Sequence, residues 1–128
     1  MSTKHILLII IIFFSSGCTT SGQLYYVDTE GHKKLAYDVE FIGMPSVDKF
    51  AVEYALSLCA KNIVKKGGVI KEEHHLSIDT AIPLAPCEKA WTHELAKRQY
   101  QTKNLNKKEY GYIVANIDLG LATVNKCT

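Results

Sequence analysis

Proline is scarce in this chain, three in 128 residues, and there is a single tryptophan. An excess of charge of one sign is also missing: 15 Lys and Arg stand against 13 Asp and Glu, for a formal net charge of +2. That balance excludes the dense basic face that displaces counterions from nucleic acid. The lysine pairs Lys33-Lys34 and Lys65-Lys66 therefore read as solvated, and no nucleic-acid partner is expected. No apolar run approaches the roughly 20 residues that a spanning helix needs. Three catalytic signatures are absent as well: no G-x-S-x-G, no HExxH and no G-x-x-x-x-G-K occurs. These absences leave an ordinary globular composition without low-complexity tracts, and neither a cofactor nor an enzymatic activity is expected of it.

What is present first is an export-like segment. Lys4 and His5 precede an apolar run over residues 6–14, and Ser15-Ser16-Gly17-Cys18 closes it with small residues and a thiol. The length, basic flank and small exit fit a secretory signal peptide, but the usual A-x-A-like cleavage site is missing. Small residues running straight into a cysteine resemble the lipobox of bacterial lipoprotein precursors. The resemblance covers only residues 1–18. The family usually has Leu three places before the cysteine; here Ser15 stands there, with bulky Phe14 one place upstream.

The resemblance implies that residues 1–17 are removed and that Cys18 is acylated, which makes the lipid bilayer a partner. Two or more lipid signals hold a protein durably where one does not. Thr19, in place of the Asp associated with inner-membrane retention, implies the outer membrane. Residues 18–23 read as the lipidated cysteine and a short tether, whose five residues beyond Cys18 reach about 17 Å when extended. Residues 24–128 read as a single domain.

Three further cysteines, Cys59, Cys87 and Cys127, leave one thiol over in an oxidising compartment. Three pairings are open. Cys59 falls in an apolar helical stretch, whereas Cys87 and Cys127 fall near element ends, so a Cys87–Cys127 disulfide with Cys59 free is the expected one.

Along the domain, residues 24–28 and 34–42 read as strands joined by the turn signal Thr29-Glu30-Gly31-His32. Pro45 and Ser46 open a helix, with Ser46 as its expected cap, that runs to Lys66 and stops at Gly67-Gly68. Its broad apolar arc suits a helix laid across a sheet. Residues 69–78 read as a third, edge strand, 87–102 as a second helix and 110–121 as a last strand. The order β-β-α-β-α-β predicts an α+β domain, a small, mainly antiparallel sheet with two helices packed on it.

Glu72-Glu73-His74-His75 is the sharpest chemical cluster, with His93-Glu94 as a further pair. On a strand, neighbouring side chains point to opposite faces, which keeps His74 and His75 from sharing a metal; the reading is a solvated edge strand with no metal site. Cys87 with His93, and Ser77 with His75 and Asp79, have residue types for nucleophilic catalysis but no signature. The seven tyrosines read as core residues with their hydroxyls at the rim.

These features predict a membrane-anchored envelope lipoprotein that acts as a non-catalytic binding or accessory subunit, with an envelope protein as partner. Two other classes remain open: a protective inhibitor or sequestering protein working through residues 79–88, and a metal-dependent enzyme using His74, His75 and His93.

Overall fold

The computed structural model describes residues 18–128; the expected signal peptide and the lipobox residues Ser15, Ser16 and Gly17 lie outside the described residues. The fold is a small α+β domain in which a two-stranded antiparallel sheet is followed by helices. Strand β1 (Thr19–Val27) pairs with β2 (Lys33–Ile42), from Thr19 opposite Ile42 to Val27 opposite Lys33, with a register shift after Leu24. The connecting turn is held by Asp28, whose carboxylate accepts from the amides of Glu30 and His32, each at 2.9 Å. Residues 19–23, expected as a tether, are instead the first half of β1.

Helix α1 (Pro45–Lys65) lies across the hairpin. Its cap differs from expectation: Met44 occupies the cap position without a side-chain hydrogen bond, and Ser46 lies inside the first turn. Pro45 suits that first turn because its missing amide would have no partner there. At the other end Gly67 takes a φ of +89° and the Gly68 amide returns to the Ile63 carbonyl at 3.0 Å, a glycine stop of the expected kind.

Beyond α1 the structure departs from the expected order. The third strand shrinks to an isolated bridge between Val69 and Val27. The chain then turns into a short helix, α2 (His74–Ser77). Four polar residues in a row offer no alternating face to bury, and local turn hydrogen bonds, His75 to Glu72 and Leu76 to Glu73, replace a ladder. The second helix starts six residues late, as α3 (His93–Gln101), capped by Thr92, whose hydroxyl accepts from the Leu95 amide. Glu88, at φ +62°, interrupts any earlier helical run.

The last strand is a helix, α4 (Lys107–Asp118), opened by a reciprocal capping box between Asn106 and Glu109. Ile113, Ala115 and Ile117 alternate, and so suggested a strand. The buried set is Tyr112, Ile113, Ala115 and Asn116, a helical spacing, and the capping box adds two hydrogen bonds that only a helix start can use.

Two hydrophobic clusters result. The larger joins Leu24, Val39 and Phe41 of the hairpin to Val52, Leu56 and their neighbours on α1 and to Tyr112 and Ala115 of α4; the smaller gathers Trp91, Leu95, Ala96, Leu105 and Ile113. Tyr54 and Tyr112 are buried in the seam between α1 and α4, with ring centroids 5.1 Å apart. Asn116 donates to the Tyr54 hydroxyl at 3.0 Å, and the Tyr112 hydroxyl donates to Glu53. The core reading thus holds for these two tyrosines. Burial and the Glu53 carboxylate together push the Tyr112 hydroxyl pKa up, so it stays a donor.

Gly111 fixes how closely the two helices approach. A Cβ there would stand 2.6 Å from the Val47 carbonyl oxygen and 2.7 Å from the Phe50 Cβ, inside contact distance. Overpacking of this kind costs about 1–3 kcal/mol, against a gain of up to about 1 kcal/mol in helix propensity. Gly111→Ala is expected to lower stability by about 1–2 kcal/mol, read as a lower midpoint in urea unfolding at unchanged slope.

Candidate functional site

A cleft of about 790 Å³ opens between the end of β2, the first turn of α1 and the outer sides of α3 and α4. Its rim is apolar where β2 hands over to α1: Ile42 is 74% exposed, and Met44 is exposed beside it. Opposite stand Lys97 and the pair His93–Asp118, whose Nε2 and Oδ1 are 2.7 Å apart. Asp48 lines the cleft too, although its residue is only 7% exposed. One carboxylate oxygen, Oδ2, has no hydrogen-bond partner. Burial raises the Asp48 pKa above its ordinary 3.8, against a smaller lowering by the Met44 backbone. An apolar rim around a buried, underused acceptor suits a ligand or peptide segment that brings a hydrogen-bond donor.

Cys18, the expected lipidation site, is exposed and reduced. Its carbonyl accepts from the Gly43 amide at 3.2 Å, so it sits against Gly43, one of the residues that line the cleft. Nothing in the sequence signalled this cleft. Asp48 read as a helix-end charge, and α4, which forms one wall, read as a strand.

Cys87 and Cys127 form a disulfide, with Cα atoms 5.3 Å apart. Cys59 remains a half-buried free thiol, its pKa raised chiefly by burial. The disulfide removes Cys87 as a nucleophile beside His93. The Ser77 hydroxyl donates to the His74 carbonyl and not to His75, which dissolves the second nucleophile arrangement.

The disulfide also braces residues 79–88. The Trp91 indole donates to the Pro83 carbonyl at 2.8 Å, and the Asn125 side chain donates to the Ala85 carbonyl at 2.6 Å. Between these two fixed carbonyls Leu84 projects, 79% exposed. The loop is therefore an apolar tip on a rigid base.

His74 and His75 do come together, contrary to the strand argument. Their ring centroids are 3.9 Å apart, and Glu72 joins them. His93 is not in that cluster but in the cleft, so the trio His74, His75 and His93 is not one site. Among the described residues no helix is long and apolar enough to cross a membrane.

The raised Asp48 pKa has a definite pH signature. The folded state holds that proton more tightly than the unfolded chain, so stability is higher below the ordinary value of 3.8 and falls as pH rises through the raised folded one. Asp48→Asn is expected to be more stable than the wild type at neutral pH. The difference should close well below pH 3.8, where the carboxyl is neutral too. Urea titrations at the two pH values check this.

Comparison with known proteins returns no match: no family model, no curated protein and no solved structure corresponds to this chain.

Proposed function

We propose that the protein is a lipid-anchored envelope protein, held by an acylated Cys18, that acts without catalysis as a binding or accessory subunit. The anchor reading rests on the apolar run and small residues that lead into Cys18; the hydrogen bond from the Gly43 amide to the Cys18 carbonyl adds where such an anchor would sit. It sets the candidate attachment point beside an apolar-rimmed cleft, and it leaves no free tether between them. An anchored cleft of this kind meets partners that lie at the membrane surface, because its reach is that of the domain and not of a linker. The outer membrane is the favoured site, on the strength of Thr19. The partner is an envelope protein that presents a donor-bearing, partly apolar segment to Ile42, Met44 and Asp48.

The test is intact mass and fractionation of the protein from cells, wild type against Cys18→Ala. Wild-type protein is expected in membranes, with residues 1–17 removed and a lipid-sized mass increase. The variant is expected soluble and unlipidated. Soluble, unlipidated wild-type protein would sink the anchor.

A second reading, a protective inhibitor, has its own support in the braced loop around Leu84. A rigid apolar tip loses little conformational entropy on insertion into a pocket. Here a stoichiometric amount of protein would block a cell-wall hydrolase, and Leu84→Ala would weaken inhibition by about tenfold or more, the cost of removing a central anchor. Equal inhibition by wild type and Leu84→Ala would remove the loop from consideration.

A further inference from the structure

The turn that enters α2 carries three metal-ligand side chains on adjacent positions. One oxygen of Glu72 and one nitrogen each from His74 and His75 lie within 4.8 Å of one another. We propose that this turn binds a divalent transition-metal ion of the zinc or copper class through Glu72, His74 and His75.

Zinc bonds to imidazole and carboxylate are about 2.0–2.2 Å long, so donors around a tetrahedral ion stand roughly 3.4 Å apart. Glu72 Oε2 and His75 Nε2 stand 3.1 Å apart in a hydrogen bond that an ion between them would replace. His74 is exposed, and its ring needs only a side-chain rotation to complete the set. Two imidazoles with one carboxylate select zinc and copper over calcium and magnesium, which prefer an all-oxygen shell.

His75 gives the set a fixed member. Its residue is only 7% exposed, and Nε2, the nitrogen that faces Glu72, is the one that would coordinate; Nδ1, on the other side of the ring, is not a ligand to the same ion. Because α2 packs on α1, His75 is held in place while Glu72 and His74 close from the solvent side. The remaining coordination position would go to water or to a group from a partner.

A second cluster, Asp28, Glu30 and His32, provides a natural control. Its Asp28 carboxylate is already engaged by two backbone amides and by the Lys34 ammonium at 3.0 Å. That carboxylate is committed to the hairpin turn.

The experiment is calorimetric titration of zinc chloride into the purified, metal-stripped protein. Saturable binding of one ion is expected in the wild type and in His32→Ala. Glu72→Gln and His74→Ala, both at exposed positions, are expected to weaken it by about tenfold or more. Thermal melts followed by circular dichroism verify that these two variants stay folded, which makes the more disruptive His75→Ala a secondary test. The proposal is overturned if the wild type shows no saturable binding. It is equally overturned if Glu72→Gln and His74→Ala bind as the wild type does, as they would with zinc on the Cys59 thiol, or if His32→Ala alone loses the ion.

Discussion

The structure depends on one helix serving two partners at once. Helix α1 gives Val52 and Leu56 to the hairpin, where Gly22 lets the strand come close, and gives Val47, Ala51 and Tyr54 to α4, where Gly111 does the same. A two-stranded sheet alone has too little apolar surface to be stable in water. The hairpin therefore owes its order to α1, and α1 in turn needs α4 to cover its other side. The seam is made specific by polar contacts that only one register satisfies: Asn116 to Tyr54, and Tyr112 to Glu53.

That arrangement explains which parts of the fold could be read from the residues in order. The hairpin and α1 carry strong local signals: an aromatic and β-branched run before a Gly turn and an alternating one after it, then a proline start and a double-glycine stop. The Cys87–Cys127 pairing was legible because Cys59 had a better use as an apolar helix residue. α4 was not legible, since Ile113, Ala115 and Ile117 satisfy a period of two as well as they satisfy a helix. The deciding residues, Asn106 and Glu109, lie just outside the apolar pattern. The error at residues 69–78 has another source. Val69 and Ile70 are strand-like, and Val69 does make one bridge, but the polar residues after them form a local turn.

The sites were less legible than the fold because they are made by those misread elements. The cleft needs α4 as a wall, and the Glu72, His74 and His75 cluster needs the turn into α2. With residues 72–75 extended, the two histidines diverge; wound into a turn, their rings come together at a 39° tilt. Asp48 has no sequence signal of its own. An acid in the first turn of a helix is usually solvated and favourable to the helix dipole, and only the packed neighbours make this one a buried acceptor.

The start of β1 directly after Cys18 has a mechanical consequence. An anchored domain with a slack linker passes tension through its linker, and its core feels little. Here a load between Cys18 and a partner seated at Ile42 and Met44 would cross the open end of the hairpin, over a path only as long as the Cys18–Gly43 hydrogen bond. Thr19–Ile42 is the first pair to feel it. Strands pulled apart at one end separate a pair at a time, so the hairpin would peel before the α1–α4 seam was stressed. In the proposed anchored form, tension at the membrane would thus open the cleft rim before it loaded the α1–α4 seam.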